Sequence, residues 1–286
     1  MNEPGTMAHS DQAGDLPGSS APLSAPQPGP RLARRRVLVV GGGSHSDPGD
    51  APPNNGYAIC AVAAAEGAAV AVGDIDPSAA ERTVGHLRRA GGSAEAIAAD
   101  VADPGQCDDL VDGAIARLGG IDGVVLNVGI GEGLGLDGTS AAIWDRVFAI
   151  NVRAHFLIAK RALPRMQRGA IVFVGSLAGS RPGTFSPSYD ASKSAISALS
   201  RHVALEGASR GIRANVVAPG LIDTPMGRDA SKSNPVRDRI PVPLGRQGTA
   251  WEVAQAVIFL LSDHASYITG HELIVDGGLA NLIRPP

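Results

Sequence analysis

The chain has 286 residues, 44% of them hydrophobic, and a formal net charge of -3. That length supports one large α/β domain with a substantial core. The charge gives no electrostatic reason to bind nucleic acid or an anionic membrane, and no apolar run approaches the ~18 residues of a membrane span. Cys60 and Cys107 are the only cysteines, too few for a disulfide framework or a metal-ligand set. No metal is therefore expected, and a reducing, cytoplasmic setting is.

Residues 1–30 are rich in Pro, Gly, Ser and Ala and poor in large apolar side chains. They cannot bury enough surface to offset ordering entropy, so a disordered tail is expected there, with the domain over 31–286. Arg34-Arg35-Arg36 reads as a solvated approach to the first strand. Strand-like runs then follow at 37–40, 68–72, 94–99, 123–128, 170–175, 213–219 and 272–275. Helical stretches lie between them at 56–67, 77–91, 105–119, 141–166, 189–210 and 250–262. Such alternation predicts a doubly wound parallel sheet with right-handed crossovers, a Rossmann-like α/β fold in one domain. Aromatics are only 3% of the chain, so Ala, Val and Ile carry the packing.

The first strand runs into Gly41-Gly42-Gly43, and a helix begins near Gly56. Bare glycines there let a pyrophosphate approach backbone N–H groups at a helix N-terminus. Asp47 and Asp50, in the segment between, would repel a phosphate and should point away from it. Asp74 ends the second strand, where a carboxylate can accept from ribose hydroxyls, while Asp76 suits the cap of the next helix. Asp100 and Val101 follow the third strand, within reach of an adenine edge. His45 reads as a surface residue.

Tyr189 and Lys193 stand four residues apart on a predicted helix and so share one face. An ammonium beside a phenol favours the phenolate and suits it to proton transfer; a buried Tyr beside a snorkelling Lys is the plainer reading. With three Tyr and three Lys in the chain, chance predicts about 0.03 such pairs. Ser176 ends a strand thirteen residues earlier, placed to hydrogen-bond a substrate oxygen. A nucleophilic serine is disfavoured, because position 174 is Val and the G-x-S-x-G elbow is absent. Asn151 lies inside a predicted helix, where an amide implies either a function or a local kink.

Together, YDASK (189–193), Ser176, INV (150–152), RANVVAPG (213–220) and the stretch 243–278 resemble the short-chain dehydrogenase/reductase family, from Arg36 to about Asn281. The resemblance implies a seven-stranded sheet, an NAD cofactor and a tetrad of Asn151, Ser176, Tyr189 and Lys193. In it Tyr189 is the acid/base, Lys193 lowers its pKa and holds the nicotinamide ribose, Ser176 orients the substrate oxygen, and Asn151 supports a water relay to Lys193. It further implies cofactor contacts from Gly41, Gly42, Asn55, Gly56, Asp74, Asp100, Val101, Asn127, Gly129, Tyr189, Lys193, Pro219, Gly220, Ile222 and Thr224. Two departures stand out: an enlarged glycine loop ending in Asn54-Asn55-Gly56, and Val128 where Ala is usual.

The expected function is NAD(H)-dependent interconversion of a secondary alcohol and a ketone. Asp74 followed by Ile75 and Asp76 argues for NAD over NADP, with Arg82 the nearest cation, at least a helical turn off. A catalytically weak NAD(H)-binding sensor and a hydrolase are the rival readings. The resemblance, together with apolar residues on more than one face of helices 141–166 and 189–210, implies a homo-oligomer, a tetramer. The loops at 130–140, 177–188 and 224–243 surround the substrate, with Leu134, Leu136, Leu177, Phe185 and Met226 as lining and Arg181 and Arg228 nearby.

Overall fold

In β1 (Arg36–Val40), Val37 and Val39 enter one core layer while Leu38 and Val40 enter the other. A run of Val and Leu with no polar break is thus buried on both faces, as a central parallel strand requires. This computed structural model describes residues 29–47, 49–234 and 237–282. The tail expected over 1–30 lies, through residue 28, outside the described residues.

After β1 come α1 (Asn55–Ala65), β2 (Ala69–Asp74), α2 (Pro77–Arg89), β3 (Ser93–Ala98), α3 (Pro104–Leu118) and β4 (Gly123–Leu126). The second half holds α4 (Ala141–Phe148), a π-turn (Ala149–Arg153), α5 (Ala154–Ala162), β5 (Gly169–Val174), α6 (Pro187–Gly207) and β6 (Ile212–Pro219). It closes with β7 (Ile222–Asp223), α7 (Pro225–Ser233), β8 (Gly248–Thr249), α8 (Ala250–Leu261) and β9 (Glu272–Val275). The main sheet is parallel throughout, in the order β3-β2-β1-β4-β5-β6-β9. Residues of α1, α2 and α8 pack on one face, and those of α3, α5 and α6 on the other. This is the expected doubly wound, Rossmann-like single domain.

Three expectations change. The helix foreseen over 141–166 is interrupted by the π-turn around Asn151 and ends in a 3-10 turn containing Pro164. The arginine approach is tethered rather than merely solvated: Arg35 pairs with Asp263 at 2.6 Å and Arg36 with Asp122 at 2.7 Å, leaving Arg34 exposed. And β7, α7 and β8 form a small lobe that the sequence pattern did not foretell. Among the described residues no helix is long and apolar enough to cross a membrane, and no cluster of three or more His, Cys, Asp and Glu could hold a metal ion.

Candidate active site

The strand order reverses between β1 and β4, and the crevice beyond their carboxyl ends is where such sheets bind dinucleotides. There Asn127 Nδ2 donates to the Gly41 carbonyl at 2.8 Å. Gly56, in the first turn of α1, packs on the same carbonyl so closely that a Cβ would come within 1.9 Å of it. Gly41 itself has φ 76, a conformation that favours glycine, and a Cβ on Gly42 would meet Cys60 Sγ at 2.9 Å.

The enlarged loop is tied down at its far end by Asn54. Its side chain caps α1 by accepting from Tyr57 N–H at 2.7 Å, while Nδ2 donates to the Gly43 carbonyl at 2.8 Å. Asp47 is turned onto α2, where it pairs with His86 Nε2 at 3.0 Å. His45 is exposed, as expected. Arg82 reaches closer than its sequence position suggested: Nη1 donates to the Ser44 carbonyl at 3.2 Å.

Asp74 Oδ2 accepts from Gly43 N–H at 2.8 Å and Oδ1 from Asp76 N–H at 3.1 Å, and Asp76 caps α2. Each Asp74 oxygen keeps a lone pair for a further donor. Asp100 Oδ1 accepts from Ala102 N–H at 2.9 Å, and Val101 beside it is buried. On the other side of the crevice Pro219 ends β6 and Gly220 N–H donates to the Val275 carbonyl at 2.9 Å. Ile222 is buried, and Thr224 caps α7 by accepting from Gly227 N–H at 3.1 Å. A nicotinamide dinucleotide fits here. Gly41, Gly42 and Gly56 let the turn after β1 lie close against Val128, Cys60 and the start of α1, and Asn55 Oδ1 is a buried acceptor without a partner among the described residues, suited to a ligand hydroxyl.

The second half of the site hangs on α6. Pro187 in its first turn is preset for helix, and Tyr189 and Lys193 follow one turn apart. Lys193 is almost wholly buried; Nζ donates to the Val174 carbonyl at the end of β5 at 3.0 Å and stands 5.7 Å from the centre of the Tyr189 ring. Ser176, just past β5, accepts from Ala178 N–H at 3.2 Å and stands near enough to Tyr189 to favour its phenolate. A Cβ on Gly129 would come within 3.1 Å of Lys193 Nζ, and one on Gly131 within 3.4 Å of the Tyr189 ring, so both glycines let the loop after β4 lie against the pair.

Asn151 marks a local kink. It sits in the π-turn, wholly buried. Oδ1 accepts from Ile130 N–H at 2.9 Å, and Nδ2 donates to the Ile130 carbonyl and to Ser192 Oγ, each at 2.9 Å. The amide thus clamps the loop after β4 onto α6. Its hydrogen bonds go to Ile130 and Ser192, not to Lys193.

The electrostatics differ from the simple pair. Burial pushes the Tyr189 phenol above its ordinary value, with Ser176 and Arg237 pulling the other way. Burial alone draws Lys193 down to about 8. His155, wholly buried, is drawn down to about 3 by burial and by the Lys193 charge; being neutral, it donates from Nε2 to the Val128 carbonyl at 3.0 Å. His155, Ser192 and Arg237 were missed at the sequence level because the groups that give them a part, Lys193, Asn151 and Tyr189, lie more than 35 residues away along the chain. Arg228, singled out instead, is held by Asp223 at 2.7 and 3.1 Å. Of the expected lining residues, Leu134, Leu136, Phe185 and Met226 are exposed and Leu177 is buried.

A dinucleotide crevice that opens onto a phenol and an ammonium defines a Rossmann-type oxidoreductase. The family model described as enoyl-(acyl carrier protein) reductase matches residues 55–280. 2-(S)-hydroxypropyl-CoM dehydrogenase 3 of Xanthobacter autotrophicus is 36% identical over 87% of this chain and 98% of its own length. Cyclopentanol dehydrogenase of a Comamonas strain is also 36% identical, over 87% of this chain and 98% of its own. Among solved structures, levodione reductase superposes with a TM-score of 0.82 at 32% identity, covering 88% of this chain and all of the other. The chain belongs to the short-chain dehydrogenase/reductase family, and it is an enzyme that interconverts alcohols and carbonyl compounds.

Proposed function

We propose that the enzyme interconverts a secondary alcohol and a ketone with NAD(H), and that Tyr189 transfers the proton. The observation that carries this is the placing of Tyr189, Lys193 and Ser176 together at the carboxyl end of β5, beside the glycine-lined crevice. When bound, the nicotinamide gives or takes the hydride. In the reducing direction Tyr189 Oη donates its proton to the carbonyl oxygen as charge develops there, and Ser176 steadies that oxygen. Lys193, fixed by the Val174 carbonyl, offers its remaining N–H groups to the ribose and its charge to the phenolate that is left. Asn151 keeps the loop after β4 in place beside both.

A raised phenol is protonated at neutral pH, which favours ketone reduction; alcohol oxidation needs the phenolate and should quicken as pH rises. A screen of NAD+ reduction against diverse secondary alcohols tests the whole reading; absence of turnover with every alcohol at alkaline pH would sink it. Relatives named for cyclopentanol and for cis-4-hydroxycyclohexanecarboxylate support cyclic secondary alcohols as the first to try.

The same reading includes four finer points. NAD is preferred over NADP because Asp74 sits by the glycine turn. The enzyme is a homotetramer, since Trp144, Phe156 and Leu205 leave apolar surface on α4, α5 and α6; light scattering at the 29.0 kDa monomer mass would refute it. It works in the reducing cytoplasm, where the buried thiols of Cys60 and Cys107 stay free, and residues 1–30 are dispensable for its fold.

A further inference from the structure

Beyond β6, the short elements β7, α7 and β8 surround a cavity of about 630 Å³. Three cations line it, Arg228, Lys232 and Arg237, against two carboxylates, Asp223 and Asp238. Two of the cations are matched. Arg228 is chelated by Asp223, and Lys232 Nζ meets Asp229 Oδ1 at 2.7 Å. Both are largely exposed, where such pairs are screened.

Arg237 is different. Its side chain is only 16% exposed. Nη1 donates to the neutral Ser231 hydroxyl at 2.9 Å, and Nη2 reaches the Ile222 carbonyl only at 3.5 Å. The nearest carboxylate oxygen, Asp238 Oδ1, is 3.8 Å away and already accepts from Ser231 Oγ at 2.6 Å and Gln247 Nε2 at 3.1 Å. A guanidinium carries five donors in a planar fork, so most of this one's capacity is unspent while its charge is largely withdrawn from water. Arg237 is also close enough to Tyr189 for its charge to favour the phenolate.

We propose that Arg237 is an anion anchor: the substrate carries a carboxylate on the same small molecule as the reacting carbon, and Arg237 binds that carboxylate in the cavity beneath α7. With Arg228 held by Asp223 and Lys232 by Asp229, the charge left for a ligand is that of Arg237, met by Asp238 only at 3.8 Å; a monoanion brings one charge against it and a phosphate dianion nearly two. A carboxylate matches the fork in two parallel N–H···O bonds, which a neutral ketone cannot do. The proposal rests on Tyr189 as the proton-transferring residue, since that fixes where the carbonyl lies relative to the anchor.

The test compares 4-oxopentanoate with its methyl ester as substrates, and pentanoate with pentanamide as ligands of the cofactor-saturated enzyme, measured calorimetrically. Wild type, R237L and R237K are run together, with thermal midpoints as the folding control. The wild type should prefer each acid over its neutral counterpart by about 10- to 100-fold, the range for hydrogen bonds to a charged group. R237L should erase both preferences, mainly through KM, and R237K should restore part of them. Should R237L not fold, R237K and R237Q decide on the same ratios. Equal handling of acid and neutral compound by the wild type overturns the anchor, as does a variant that weakens both members of a pair alike. If pentanoate binds through Arg237 while neither ketone is reduced, the anchor stands and the Tyr189 reading fails.

Discussion

At the cofactor end the crevice is shaped by bare backbone: Gly56 rests on the Gly41 carbonyl, and Asn54, Asn127 and Asp74 fasten the turn through hydrogen bonds to main-chain atoms. At the catalytic end it is shaped by ionisable side chains taken out of water, above all Lys193 and the phenol of Tyr189. The first arrangement forbids side chains but desolvates little charge. The second tolerates bulk and strains electrostatics instead. A fall of Lys193 from 10.5 to about 8 corresponds to about 3 kcal/mol of destabilisation at neutral pH, at 1.36 kcal/mol per unit. Stability in this enzyme is thus spent at one end and conserved at the other, the pattern expected where function needs an awkward charge.

The largest expected effect breaks the catalytic end alone. Tyr189→Phe keeps the ring and removes the hydroxyl, so kcat should fall ~10²–10⁴-fold while NADH affinity stays near normal. Near-normal turnover in the purified variant would dismiss Tyr189 as the acid/base.

Lys193→Met should lose turnover on a similar scale and weaken NADH binding, yet gain stability. Because the folded pKa lies below the unfolded one, the penalty is complete below pH 8 and disappears as pH rises from about 8 to 10.5. The variant should therefore be more stable than wild type at pH 7, by up to about 3 kcal/mol, and should lack the wild type's rise in stability over that window. Urea melts at pH 7 and pH 10 measure both; a variant less stable at pH 7 would contradict the cost assigned to Lys193.

Asp74 sharpens the other side of the comparison. The wild type should favour NAD+ over NADP+ by roughly 10²-fold in kcat/KM, because a 2′-phosphate brings ~1.5–2 negative charges to a carboxylate. Asp74→Asn removes the charge while its amide oxygen still accepts a backbone N–H, so the ratio should shrink with little loss of thermal stability. Asp74→Ala should shrink it and also lower the melting temperature, since Gly43 and Asp76 lose their acceptor. Comparable use of both cofactors by the wild type would overturn the assignment.

The smallest effect belongs to Asn54→Ala. Losing a helix cap costs about 1 kcal/mol, and here it also frees the Gly43 carbonyl. A modest fall in melting temperature with a weaker NADH titration is expected; an unchanged NADH affinity would mean that the glycine turn holds its shape without the loop.

All seven main strands and the α/β alternation were legible in the sequence because hydrophobic period and glycine turns are local signals. So was the pairing of Tyr189 with Lys193, which needs only helix spacing. The interruption at 149–153 was not, because the apolar pattern of 141–166 runs on through it and only Asn151 hints at a break. The lobe of β7, α7 and β8 escaped for another reason: its strands have two residues each and its helix is polar, so neither carries a period. Arg237 matters through the company it keeps with Ser231 and Tyr189, which the fold assembles. Arg82 lies nearer the glycine turn than its place in the chain implied for the same reason, since Ser44 and Asp47 lie against α2.

A π-turn contains one residue more than the α-helix it interrupts, and each helical residue turns the chain by ~100°. The segment at 149–153 closes i→i+5 where α4 and α5 close i→i+4, so its extra residue is taken up by a wider turn and both helices keep the faces they present. Trp144 and Phe148, stacked with ring centres 4.9 Å apart, owe nothing to it. Deleting one residue there would leave the two helices facing as they do and take away the widened turn from which the Asn151 amide reaches Ile130 and Ser192. The extra residue is slack that serves the clamp alone.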